Sequence, residues 1–229
     1  MNGKRNSDFT LNLESATTEI AKVRPSLVFV TTPNNPTGSS ISNDELLELA
    51  KASAKIGALL VVDEAYEEFS NQPSSVNLIS QNANVIVVRT MSKAFALAGA
   101  RVGYMIADPK VIEAALLIRL PYHLSSQTQA LALVALDNQG LLKKEVELLR
   151  TERDRVSAEL EKLGFQVIPS DANFLLFSGF RSGPQVAWQE MLKAGILIRD
   201  VGIDGYLRVT IGTPTENNQF LAAIANHRQ

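Results

Sequence analysis

The chain has 229 residues, 45% of them hydrophobic and 20% charged, with 13 Gly and 9 Pro, a composition that excludes disorder, fibrous repeats and coiled coil. A balance of 22 Lys+Arg against 24 Asp+Glu gives a formal charge of -2 and no electrostatic case for nucleic acid or an anionic membrane as partner. With no Cys and only two His, His123 and His227, disulfides, thiolate sites and a histidine metal cluster drop out, and any chemistry falls to Lys, Asp, Tyr, Ser or Arg.

The first fifteen residues, MNGKRNSDFTLNLES, are polar and have no apolar signal-peptide core. No stretch of the chain approaches ~20 uninterrupted apolar residues. Cytoplasmic residence is the expectation. The same opening segment shows no strand and no strongly amphipathic signal, so the chain is expected to enter its fold at Ser26, with a further portion upstream.

Four short apolar runs rich in β-branched residues follow, at 26–31 (SLVFVT), 58–63 (ALLVVD), 84–89 (NVIVVR) and 101–107 (RVGYMIA). Continuous rather than alternating hydrophobicity predicts strands buried on both faces of a parallel or mixed α/β sheet. Between the first two, Ser42 with Glu45 three residues on forms a capping box. Leu46, Leu49 and Ala50 then continue an apolar helical face to Gly57, so residues 26–63 read as a βαβ unit. Helical periodicity covers 109–119, 125–138 and 141–163. The last of these carries a charged face of Lys143, Glu147, Arg150 and Arg153, as in a helix bridging two bodies. From Phe165 the pattern changes to short strands and helices: 165–169, 173–178, a helix over 184–194, strands at 196–201 and 206–212, and a closing helix at 215–226. That is an α+β arrangement with antiparallel strands. The domain boundary is placed in the long helix, giving 1–140 and 141–229, with no internal repeat.

Polar clusters stand at successive strand ends. Pro33-Asn34-Asn35-Pro36-Thr37-Gly38 follows the first strand, Asp63-Glu64-Ala65-Tyr66 the second and Thr90-Met91-Ser92-Lys93 the third. Arg101-Val102-Gly103-Tyr104 opens the fourth. Ligands of open α/β sheets bind at the carboxyl ends of the strands. A strand ending in Asp-Glu also suits the acidic box of a P-loop ATPase, but no G-x-x-x-x-G-K-[ST] loop occurs. A Lys at a sheet's carboxyl edge among hydroxyls and cations is the type that forms a Schiff base with an aldehyde. A solvated surface lysine is the bland alternative for Lys93 taken alone.

Taken in order, NNPTG, DEAY, SKAF with an Arg eight residues after the Lys, and YLRVTIGT resemble a pyridoxal-phosphate-dependent aminotransferase of fold type I, and within it the histidinol-phosphate aminotransferase group. The resemblance runs from about Phe9 to the end. It implies an α/β fold whose large domain has three layers and a mainly parallel sheet, here truncated, followed by a small α+β domain. It also implies a homodimer, small-molecule substrates, and transfer of an amino group between histidinol phosphate and 2-oxoglutarate in histidine biosynthesis. An aromatic amino acid aminotransferase, a threonine-phosphate decarboxylase and a non-catalytic remnant serving as a binding or oligomerisation module stay open as alternatives.

By motif position the resemblance assigns Lys93 as tether of the pyridoxal 5'-phosphate and as acid/base. Asp63 is assigned as partner of the pyridine nitrogen, and Tyr66 and Asn35 as hydrogen-bond partners of the ring oxygen. Thr90, Ser92 and Arg101 take the cofactor phosphate, where the planar guanidinium fork suits two oxygens. Arg199 and Arg208 are assigned to the substrate's anionic end and Asn173 to the vicinity of the site. His123 is expected to cap or pack. Complete members of the family also have an N-terminal portion containing a small-residue phosphate-binding turn and an aromatic residue that stacks on the ring. Neither is found in this sequence, so weak cofactor retention and self-association through exposed apolar surface are expected.

Overall fold

A computed structural model describes residues 3–228. It divides into two compact units. The first comprises the described residues up to Pro33 together with Ser40–Leu142, and the second comprises Asn34–Ser39 together with the residues from Lys143 on. The short NNPTG segment therefore groups with the second unit, although the strand preceding it belongs to the first.

The first unit opens with a helix that the polar N-terminus did not announce, α1 (Leu13–Val23), capped by the Asn12 side chain on the Ser15 N–H. Its apolar residues Leu13, Ala16 and Ile20 fall at helical spacing and join the core of this unit, so the chain enters its fold before Ser26. Strand β1 (Leu27–Thr31) leads through α2 (Asn43–Ala54) to β2 (Leu59–Asp63), and the two strands pair in parallel. The Ser42–Glu45 capping box is formed in both directions, satisfying two orphan N–H groups of the first turn of α2. Strand β3 (Val85–Thr90) adds in parallel to β2, and β4 (Gly103–Ala107) adds antiparallel to β3, giving the order β1-β2-β3-β4. At Gly103 a Cβ would lie 2.8 Å from the Arg89 carbonyl oxygen, so the β3-β4 approach requires glycine.

Period-two alternation divides the central strands between two faces. Leu60, Val62, Val85 and Val87 face the cluster that contains Ile20, Ile41, Leu46, Leu49 and Ala50. Val61 and Ile86 point to the opposite face and are also buried, as the continuous apolar runs require. The edge strands depart from that expectation, since Phe29 in β1 is 68% exposed and Tyr104 in β4 is half-exposed. Continuous hydrophobicity marks residues able to be covered on both sides; in the edge strands Val28, Val30 and Ile106 pack against the core, while Phe29 and Tyr104 stay open. Helices α3 (Pro109–Ile118) and α4 (Ser126–Asp137) follow, and neither has a buried residue. Leu117, Ile118 and Tyr122 are almost fully exposed.

The second unit is entered through α5 (Gln139–Lys162). Arg153, placed on the charged face by its spacing, is in fact 2% exposed, and its Nη1 donates to the Ala172 carbonyl at 3.3 Å. Glu152 is also buried; it accepts from Arg155 at 2.9 and 2.7 Å and from Asn217 Nδ2 at 2.8 Å. Those bonds offset the desolvation that would otherwise keep a carboxylate in water. A three-stranded antiparallel sheet follows, β5 (Gln166–Val167), β6 (Phe174–Ser178) and β7 (Tyr206–Thr210), in the order β5-β6-β7. Helix α6 (Pro184–Lys193) separates β6 from β7, and α7 (Pro214–Ile224) closes the unit with a second capping box, Thr213–Glu216. The strand expected over 196–201 shrinks to one antiparallel bridge between Arg199 and Arg208. Left-handed Gly195 and Gly202 bracket the segment, leaving too few extended residues to build a ladder. The core of the unit holds Phe165, Phe177, Phe180 and Phe220, with ring centroids 5.2–5.9 Å apart around Phe177. Among the described residues no helix is long and apolar enough to cross a membrane.

Candidate active site

In the first unit the polar residues gather where β2 and β3 end. Asp63 closes β2, and its Oδ1 accepts from the Ala65 N–H at 3.0 Å. A carboxylate has about four lone-pair positions, so the Asx turn fixes its orientation and leaves acceptor capacity. Tyr66 is buried three residues on. Lys93, exposed in the loop after β3, has its Nζ 5.5 Å from the centroid of the Tyr66 ring, within the range of a cation–π attraction. The loop that carries it is shaped by its own backbone. Met91 N–H donates to Val102 O and Leu97 N–H to Met91 O, both at 3.0 Å, and Ala96 N–H bonds Lys93 O at 3.0 Å. Thr90 Oγ1 donates to Val102 O at 3.3 Å and accepts from the Ser92 N–H at 3.1 Å. Arg101 adopts a left-handed backbone with φ 56, and its exposed guanidinium reaches the Ala98 carbonyl at 3.2 Å.

The second unit holds the other candidates. In the 34–39 segment, Asn34 Nδ2 donates to Thr37 Oγ1 at 2.8 Å and Asn34 N–H to Ser39 O at 2.9 Å. Gly38 sits at φ +80, where an added Cβ would come within 2.6 Å of Ser170 Cβ; only glycine fits that turn. The segment presents Asn35 at the surface, where its Oδ1 accepts from Arg208 Nη1. Arg208, on β7, also places its guanidinium 4.7 Å from the Phe174 ring centroid. Arg199 and Arg208 exchange both backbone bonds at 2.8 Å, which puts the two arginines side by side. Asn173 precedes β6 and is half-buried; its carbonyl accepts from the Ile211 N–H at 2.9 Å. His123 is exposed, with its Nε2 3.4 Å from Arg119 Nη1, so it does not pack as the sequence suggested.

Three carboxylates beside the first set were given no part by the sequence reading. Glu64, 2% exposed, accepts from Arg89 Nε and Nη2 at 3.0 and 2.8 Å, and from the Ser75 N–H and Oγ at 2.6 and 2.5 Å. Burial raises the Glu67 carboxyl above the ordinary range, partly opposed by Arg89 at 3.4 Å. Burial likewise raises Glu68, with Glu67 adding to it, and Glu68 Oε2 is buried with no hydrogen-bond partner among the described residues. Because the folded state holds the Glu68 proton more tightly than the unfolded chain, that stability is present at acid pH and is lost as pH rises through the raised folded value. Glu68→Gln is therefore expected to raise stability at pH 8 by about 0.5–1 kcal/mol and to have little effect at pH 4. Urea unfolding at the two pH values checks this, and equal shifts at both would contradict it.

A parallel β2-β3 pair with Asp, Tyr and Lys at its carboxyl ends, flanked by an antiparallel edge strand and followed by a separate antiparallel α+β unit, is the architecture of the fold type I aminotransferases. The profile of the family described as aminotransferase class I and II matches residues 2–224, and the chain belongs to that family. It is 54% identical over 219 residues to the histidinol-phosphate aminotransferase of Nocardia farcinica, covering 95% of this chain and 56% of that protein. Among solved structures it is similar to the histidinol-phosphate aminotransferase of Clostridium acetobutylicum, with TM-score 0.90, 26% identity, and coverage of 98% of this chain and 70% of that one. It is also similar to the Sinorhizobium meliloti enzyme of the same name in complex with pyridoxal-5'-phosphate, with TM-score 0.86, 27% identity, and coverage of 97% and 62%. The chain thus spans rather more than half the length of the curated relatives it matches.

Proposed function

We propose that this chain carries the lysine-bearing part of a pyridoxal-phosphate-dependent aminotransferase that acts on histidinol phosphate and 2-oxoglutarate. The observation that carries the reading is the placement of Lys93 against Tyr66 beside the strand that ends in Asp63, in a chain 54% identical to a histidinol-phosphate aminotransferase. The donor set of the first unit fits the cofactor: a primary amine for its aldehyde, a carboxylate for its pyridinium, a phenol for its ring oxygen, and two hydroxyls with a guanidinium for its phosphate. When bound, the cofactor supplies an electron sink for carbon-acid chemistry.

The residues of the chain then have the following parts. Lys93 Nζ would hold the cofactor covalently and would also carry a proton to and from the substrate carbon. Asp63 keeps a proton on the ring nitrogen, since an ionised carboxylate favours a charged partner. Tyr66 and Asn35 hold the ring oxygen, and Thr90, Ser92 and Arg101 hold the phosphate through charge-assisted bonds. Arg199 and Arg208 bind the anionic end of the substrate, with Asn173 near them. A cytoplasmic homodimer is part of the same reading.

The test is to incubate the chain with pyridoxal phosphate, reduce with borohydride, and map the pyridoxyl group by peptide mass. A single adduct on Lys93 is expected, absent in Lys93→Arg. Prior addition of histidinol phosphate should lower it more than prior addition of phenylalanine does. Adducts scattered over surface lysines, or equal protection by the two amines, would overturn the cofactor site or the substrate assignment respectively.

A further inference from the structure

We infer that Glu64 and Arg89 are positioning residues that fix the carboxyl ends of β2 and β3, and through them Asp63 on one strand and the Thr90–Lys93 loop on the other. The consequence for cofactor binding rests on the reading just proposed.

Strand geometry supplies the argument. The β2-β3 ladder pairs Val62 with Val87 and Asp63 with Val88, and the Glu64 N–H continues it to Val88 O at 2.9 Å. Successive side chains alternate between faces. Asp63 and Thr90 therefore share the face of Val61 and Ile86, while Glu64 and Arg89 share the face of Val62 and Val87, which packs on the α1-α2 core. Each positioning residue is thus the immediate chain neighbour of a candidate cofactor residue and points the other way.

On that reverse face the Glu64 carboxylate is saturated. Arg89 supplies two bonds from the neighbouring strand, Ser75 supplies its N–H and Oγ, and Ser74 Oγ approaches at 3.0 Å while also accepting from Arg89 Nη2 at 2.7 Å. The side chains of Glu64 and Arg89 are 3% and 16% exposed. Two N–H groups of the planar guanidinium converge on one carboxylate oxygen, Oε2, while Ser75 holds the other, Oε1, so the charged pair is fixed from both sides. Seating it across two strand ends and against the 74–75 turn holds those ends in one register, where a plain strand terminus would fray. A site held to within about half an ångström needs such support behind the groups that touch the ligand.

The test compares wild type, Glu64→Gln, Arg89→Gln and Arg89→Lys, all folded by near-ultraviolet circular dichroism. The first readout is amide hydrogen exchange of the cofactor-free chain. Exchange at residues 65, 75 and 91 is expected to accelerate about tenfold in the two Gln variants, as for loss of one charged hydrogen bond, while residues 60 and 85 within the strands keep wild-type rates. A purely structural role would accelerate both groups together and would overturn the inference. The second readout is half-saturation of the Lys93 adduct with pyridoxal phosphate. It should rise about tenfold in the Gln variants and less in Arg89→Lys, which keeps the charge but loses the fork. Unchanged half-saturation, or unchanged exchange at 65, 75 and 91, would overturn the positioning role. Should wild type itself form no Lys93 adduct, the proposed function fails, and the exchange pattern alone then decides whether Glu64 and Arg89 hold the strand ends.

Discussion

Phe177→Ala is expected to destabilise the second unit by about 3–5 kcal/mol, the range for truncating a fully buried aromatic ring. Phe177 is 0% exposed on the central strand β6. Its ring lies 5.6 Å from Phe165, 5.2 Å from Phe180 and 5.9 Å from Phe220, two of the three arranged edge to face. Removing it takes away its own transfer free energy and also the partner atoms of three other rings, which sit on the β5 turn, the β6 end and α7 and so cannot collapse into the gap together. A domain stable by some 5–15 kcal/mol in total would lose a large share of that margin. The single tryptophan of the chain, Trp188, packs against this core and donates its Nε1 to Ile198 O at 3.1 Å, so its fluorescence in urea reports on the right unit. Phe177→Leu, which refills much of the volume, should recover more than half of the loss. A shift below about 1 kcal/mol for Phe177→Ala would mean that the ring cluster does not carry the stability of this unit.

The parts of the fold that could be read from sequence are those whose cause is local. The capping box at Ser42 and Glu45 and the apolar runs of β2 and β3 are such cases, because cap chemistry and two-sided burial leave marks within a few residues. What could not be read depends on distant neighbours. The runs of β1 and β4 are largely apolar like those of β2 and β3, yet Phe29 and Tyr104 are open, since being central or at an edge is a property of the sheet. Helix α1 was missed because Leu13, Ala16 and Ile20 lie among polar residues; their spacing of three and four was the available signal. The 196–201 run is β-branched like a true strand but is cut short by glycines on either side. The grouping of Asn34–Ser39 with the second unit follows from bonds such as Asp171 N–H to Gly38 O at 2.9 Å, which span more than 130 residues.

The candidate site shows the same division. Asp63, Lys93 and Arg101 stand out because polar residues closing apolar strands are conspicuous, and a motif set ties them together. Glu64 and Arg89 are equally polar and adjacent to those residues, but their partnership joins positions 25 apart through the register of two parallel strands. Only once Val62 is paired with Val87 does alternation bring Glu64 and Arg89 to one face. A sequence reader could have found them by asking, for each strand-end residue that points toward a ligand, what its neighbour on the reverse face is doing.

That pairing leads to the second large effect, an expected loss of about 3 kcal/mol in the cofactor-free chain on Arg89→Ala. The variant strips two charged bonds from the Glu64 carboxylate, which is 3% exposed with Arg89 in place, while the Ser75 N–H and the two serine hydroxyls remain. Those survivors keep the loss toward the lower end of the range for a broken buried pair, but they cannot balance a full charge in a dry setting. The double variant Glu64→Gln/Arg89→Ala separates this from simple loss of packing: with no charge left to bury, it should be more stable than Arg89→Ala alone at pH 8. Urea unfolding followed by far-ultraviolet circular dichroism measures all three. If the double variant were no more stable than the single one, the energetic weight of this corner would lie in the arginine's packing, and the uncompensated charge of Glu64 would not be its source.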